Sequence, residues 1–104
     1  MQLKIHPNAR RSIKDIWRYT EKTWGEDQAN AYVQGLYQAV YKIADDRRLW
    51  RPVPHEHTQN IFFTRYKHHY IFFRALSTGQ LGIVSVLHEK MNIPSRLKDD
   101  LDQS

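Results

Sequence analysis

Three short runs in the second half of the chain are dense in aromatic and β-branched residues: Ile61–Tyr66, Tyr70–Leu76 and Leu81–Leu87. Such residues suit a pleated, partly buried surface, so each run predicts a strand. Lys67, His68 and His69 separate the first run from the second, and Ser77–Gln80 separate the second from the third. Connections that short allow antiparallel neighbours and exclude a parallel crossover. In the last run strict alternation sends Ile83, Ser85 and Leu87 to one face and Val84, Val86 and His88 to the other. Both faces are largely apolar, which predicts a central strand covered on each side.

The first half changes period. Gln2–His6 alternates polar and apolar, as a short additional strand would. Pro7 suits the first turn of a helix, where a missing N–H is harmless. Ala9, Ile13, Ile16, Trp17, Thr20 and Trp24 then recur at helical spacing, with Arg10, Arg11, Lys14, Asp15, Arg18 and Glu21 on the other side. This stripe makes both Trp17 and Trp24 core residues. Gly25 predicts a left-handed cap, and Glu26 and Asp27 open a second helix whose stripe is Ala29, Tyr32, Val33, Leu36, Val40, Ile43 and Ala44. So short a link folds two helices into an antiparallel hairpin with both stripes toward the sheet.

Between Asp45 and Asn60 the periodicity stops. Pro52, Pro54 and scattered charges predict an irregular connector with one turn around Leu49–Trp50. After the sheet, Ser95–Leu101 predicts a short helix that docks weakly or frays. The sum is an α+β fold: one domain over residues 1–104, with a helix hairpin on a mostly antiparallel four-stranded sheet.

Composition narrows the class. The 104 residues are 40% hydrophobic, and three Trp, six Tyr and four Phe supply bulk from few side chains. There is no cysteine, which excludes disulfides and Cys-type zinc sites, and no stretch resembles a membrane span or signal peptide. A cytoplasmic protein with no cofactor is the expectation. Sixteen Lys and Arg against eleven acids give a net charge of +5, which favours nucleic acid or an acidic polypeptide as partner over a merely solvated basic surface only when joined to other signals.

Local wording adds a stronger signal. Asp15-Ile16-Trp17-Arg18-Tyr19-Thr20, Trp24-Gly25, Gln28-Ala29 and Tyr32 resemble the helix hairpin of the ParE branch of the ParE/RelE toxin superfamily. Arg65-Tyr66, His69–Arg74 and Ile83–Met91 resemble its strands, so the likeness spans roughly residues 3 to 93. It implies the toxin of a type II toxin–antitoxin pair of the kind linked to plasmid stabilisation, silenced by a ParD-like antitoxin with an acidic C-terminal segment. In the ParE branch the implied target is DNA gyrase, and hence DNA replication, reached by binding. The RelE branch implies instead a ribosome-dependent mRNA endonuclease. A third possibility is a member that only binds its antitoxin and regulates their shared promoter.

Cleaving RNA through its 2′-hydroxyl needs a base, an acid and cations for the developing charge. In the endonuclease alternative the candidates are His69, His88, Arg65 and Arg74. In the ParE-like reading, which comes first, there is no catalytic residue. Tyr37 and Tyr41 lie one turn apart off the main stripe and suit an antitoxin helix, with packing on the C-terminal tail as the alternative. An antitoxin segment would then cross the sheet edge and this Tyr face. His55-Glu56-His57 reads as a solvent-facing loop before it reads as a metal site. Arg47, Arg48 and Arg51 suit either phosphate contact or a solvated loop.

Overall fold

The computed structural model describes residues 2–54 and 60–103. Strand β1 (Leu3–Ile5) leads into helix α1 (Pro7–Trp24), helix α2 (Glu26–Ala44), a single 3-10 turn (Arg47–Leu49) and strands β2 (Arg51–Pro52), β3 (Phe62–Tyr66), β4 (His69–Ala75) and β5 (Leu81–His88). Helix α3 (Ile93–Asp102) closes the chain. The strand order is β1-β5-β4-β3-β2, with β1 parallel to β5 and the other pairs antiparallel. The sheet therefore has five strands where four are expected, because Arg51 and Pro52 of the connector pair with Phe63 and Phe62. Pro52 is tolerated there because β2 is an edge strand.

Gly25 alone joins the two long helices, at φ 96° and ψ 168°. That region is open essentially to glycine only, and it lies outside the left-handed helical cap expected there. The hairpin buries Ala9, Ile13, Ile16, Leu36, Val40 and Ile43 against Ile71, Phe73, Leu81, Ile83 and Val86 of the sheet. Trp50 turns under this layer, its indole N–H donating to the Ile43 carbonyl at 2.6 Å and its ring packing on Phe62 and Phe73. The opposite face holds a second cluster of Ile61, Phe72, Val84 and Leu87 beneath Leu97 of α3. Helix α3 is thus docked through Leu97, 3% exposed, where weak docking or fraying is expected.

Strand β5 is buried from Leu81 to Leu87, as its two apolar faces require. Its alternation is not strict, however. Phe72 pairs with Ser85 and Phe73 with Ile83, so Val84 is an extra residue, a β-bulge. Val84 and Ser85 both serve the α3 side, where the Ser85 hydroxyl donates to Asp100 at 2.5 Å. Beyond the bulge the phase is inverted: Val86 joins the hairpin-side core, Leu87 the α3 side.

The helical stripe misassigns one tryptophan. Trp24 is 71% exposed at the end of α1, and Trp17 is half-buried with its indole N–H donating to Asn30 at 2.8 Å. Replacing Trp24 by Ala should shift stability by no more than about 0.5 kcal/mol. Phe73→Ala, at a fully buried ring, should cost about 3–5 kcal/mol. Urea unfolding of the two variants checks both values.

Candidate functional site

The link between β3 and β4 is tighter than the three residues expected from the sequence. Tyr66 pairs directly with His69, leaving Lys67 and His68 as a two-residue turn with Lys67 at φ 51°. His69 is thereby drawn into β4 in register with His88 of β5. Paired residues share a face, and the bulge at Val84 makes that the hairpin face. The two imidazoles meet edge to face with centroids 5.0 Å apart, and His68 stacks over His88 at 6.3 Å.

Helix α2 supplies the next member. The Tyr32 hydroxyl lies 2.7 Å from Nδ1 of His69, and its ring packs on Tyr66 and His69. Burial, reinforced by the neighbouring His88 and His68, lowers the His69 pKa to about 4. It is therefore a neutral imidazole at pH 7, and burial raises the Tyr32 pKa in turn. The Lys90 amide donates to Nδ1 of His88 at 3.1 Å. Glu89 bridges His68 at 2.9 Å and Arg65, and these partners, His68 first, hold its carboxyl below the usual range.

Tyr32, His68, His69 and His88 line an open cleft of about 560 Å³ between the Gly25 end of the hairpin and the adjoining ends of β4 and β5. Its rim carries Tyr19 at 71% exposed, Trp24 at 71% and Met91 at 43%, with Lys67 and Arg96 alongside. Three of the large exposed apolar side chains thus gather on one opening, the pattern of a binding surface. None of the three was singled out as a binding residue from the sequence. Trp24 falls in the helical stripe, and only its place next to the Gly25 turn hints that it projects from the hairpin.

The other sequence candidates lie elsewhere. Arg65 points to the α3 face, its guanidinium donating to the Lys67 carbonyl at 2.8 Å and lying over the Tyr70 ring. Arg74 pairs with Gly82 toward the far end of β4, about 16 Å along the strand from His69. Its Nε is buried without a hydrogen-bond partner among the described residues. The structure therefore brings His69 and His88 together and sets Arg65 and Arg74 apart from them. Tyr37 and Tyr41 are not equally available: Tyr37 is half-buried against the hairpin-side core, and Tyr41 is 52% exposed. Tyr37 belongs to the core layer on the face opposite α3, so the expected alternative of packing on the tail does not apply to it. His55-Glu56-His57 lies outside the described residues, and among the described residues no cluster of three or more His, Cys, Asp or Glu could hold a metal ion.

A model of the family described as the ParE toxin of the type II toxin–antitoxin system parDE matches residues 3–93. The chain belongs to the ParE toxin family. It is 29% identical over 93 residues to Toxin ParE of Escherichia coli, covering 89% of each chain. Toxin ParE1 of Mycobacterium tuberculosis matches at 29% over 93 residues, covering 89% of this chain and 94% of the relative. Among solved structures, the chromosomal ParDE system of P. aeruginosa superposes with a TM-score of 0.70 at 17% identity, over 85% of this chain and 95% of that one. The RelBE2 toxin–antitoxin complex of Mycobacterium tuberculosis gives 0.57 at 16% identity, over 84% and 95%. At those identities the structures show a shared fold.

The depressed His69 pKa makes this ParE-family site pH-sensitive. Unfolded, His69 takes up a proton near pH 6.5, whereas folded it resists until about pH 4. Stability from this group is therefore intact above pH 6.5 and declines as pH falls toward 4. Urea unfolding between those limits should show a steeper decline for the natural chain than for His69→Gln.

Proposed function

We propose that this chain is the toxin of a type II toxin–antitoxin pair that arrests DNA replication by binding DNA gyrase, and that an antitoxin holds it inactive. The observation that carries the reading is the open cleft rimmed by Tyr19, Trp24 and Met91, within a chain matched by the ParE model across residues 3–93. A protein that acts by binding needs exposed anchors, and aromatic anchors of this kind dominate binding energy. His69 and His88 sit in the same cleft but share it with neither Arg65 nor Arg74. The reading of action by binding accordingly stands ahead of the endonuclease. The place of action that follows is the cytoplasm.

For the antitoxin we propose contact with the Tyr37–Tyr41 face of α2. Tyr41 is the accessible anchor there, and Tyr37 supports it from the core side. The toxins named above are described within ParDE and RelBE systems, which supports a cognate partner for this chain as well.

Purified protein should inhibit supercoiling by gyrase and accumulate cleaved DNA while translation in an extract continues. Rapid loss of translation with cut messenger, and gyrase unaffected, would replace this reading with the endonuclease. Tyr41→Ala should weaken antitoxin binding by about 1 kcal/mol or more in titration calorimetry with the melting temperature unchanged. Tyr37→Ala should lower both, since that ring also packs on the core.

A further inference from the structure

Helix α1 buries Asn8, Ala9, Ile13, Ile16 and Thr20, and its other side faces solvent. Arg10, Lys14, Arg18 and Lys22 follow one another there at intervals of four residues, all exposed. Each step is about 6 Å of rise, so these cations form a line about 18 Å long that winds slowly around the helix. Arg11, also exposed, stands beside it. The acids of the helix are Asp15, which lines the cleft, and Glu21. None of the five cations forms an ion pair among the described residues.

Stability does not favour this placement. The first turn of α1 holds no acid, and Arg10 stands at the end where the helix dipole is positive. Helix α2 opens in the favoured way, on Glu26 and Asp27. Like charges four residues apart on a helix also repel one another. The other gathering of cations is arranged differently. Strand β2 pairs with Phe62 and Phe63 only, and a groove along the outer edge of β3 is lined by Lys42, Arg48, Arg51 and Arg65. There Arg48 is held by Asp46 and Arg65 by Glu89. The α1 face has no such partners, and an anion from outside would relieve its repulsion.

We propose that the outer face of α1 holds the phosphate backbone of a DNA duplex. The proposal rests on the gyrase reading for the identity of that duplex, the segment held by the enzyme, and on α1 for the contact itself. Charge complementarity selects an anion. The lack of anchors selects nucleic acid over protein. Tyr19 and Trp24, the large exposed apolar residues of α1, stand at the cleft rim and not among the cations. A protein partner draws its affinity from such anchors, whereas phosphate contacts need only cations. One helix thus offers anchors on its cleft side and cations on its outer side. A toxin seated on gyrase through the cleft would grip the adjoining DNA without reading its sequence.

The test measures binding of the whole chain to a short fluorescein-labelled DNA duplex of arbitrary sequence, read by anisotropy without gyrase. If the line of four cations meets phosphates, a four-fold rise in salt should weaken binding roughly 100-fold. The double variant Lys14→Gln, Arg18→Gln should reduce that loss to roughly ten-fold and bind unrelated sequences alike. The double variant Lys42→Gln, Arg51→Gln removes equal charge from the β3 groove and should keep the natural salt dependence. Circular dichroism checks that both variants are folded. The same salt dependence in the two variants would mean a diffuse effect of net charge and overturn the proposal. Tighter binding of polyglutamate, or of an RNA duplex of equal length, would overturn it too, as would no binding at low salt. Because gyrase is absent, such a failure leaves the gyrase reading standing, and a failure of gyrase inhibition leaves this contact standing.

Discussion

The structure depends on the burial of β5 from both sides. Seven consecutive residues, Leu81 to Leu87, are buried between the helix hairpin on one face and α3 on the other. A strand in that position admits no misplaced polar group, yet it contains Ser85. The bulge at Val84 resolves the conflict by turning Ser85 toward Asp100, whose carboxylate accepts a hydrogen bond from its hydroxyl at 2.5 Å. The same extra residue resets the phase of everything after it. Without it, Val86 would leave the hairpin core and His88 would face α3; with it, His88 arrives beside His69 at the mouth of the cleft.

The site is therefore a consequence of how the sheet is closed. One tight turn at Lys67–His68 and one bulge bring three imidazoles, Tyr32 and Glu89 to a single end of the molecule. The Gly25 link holds the exposed Trp24 next to them. At the other edge, the departure of the chain at Trp50 leaves β3 half covered and the basic groove open. The fold thus presents a cleft at the adjoining ends of β4 and β5 and a groove along the outer edge of β3.

Much of the fold was legible because β-branched and aromatic runs, helical stripes and short links all agreed. Leu81–Leu87 read correctly as central, and Pro7 and Gly25 marked helix ends. What was not legible arose from tertiary effects. A bulge leaves no mark in a run such as Gly82-Ile83-Val84-Ser85-Val86, where either phase buries apolar residues. Arg51 and Pro52 have poor strand character and pair only because Phe62 and Phe63 are already in place. Trp24 continues a periodic stripe past the point where the sheet ends beneath it, so periodicity counted it as core. Tyr37 departs the other way, packing half-buried against the hairpin-side core although it lies off the stripe. His69 and His88 were found from sequence, but their shared face depended on the bulge.

The central claim is that the cleft acts through its surface and not through its imidazoles. Its most direct test is the DNA-cleavage complex formed by gyrase with the His69→Gln, His88→Gln double variant, in a protein shown to be folded. Glutamine keeps the hydrogen bonding but cannot exchange protons near neutral pH. Cleaved DNA should then accumulate at nearly the natural level. A loss of about 100- to 10,000-fold in toxic activity, the scale of removing general acid–base catalysis, would contradict the account.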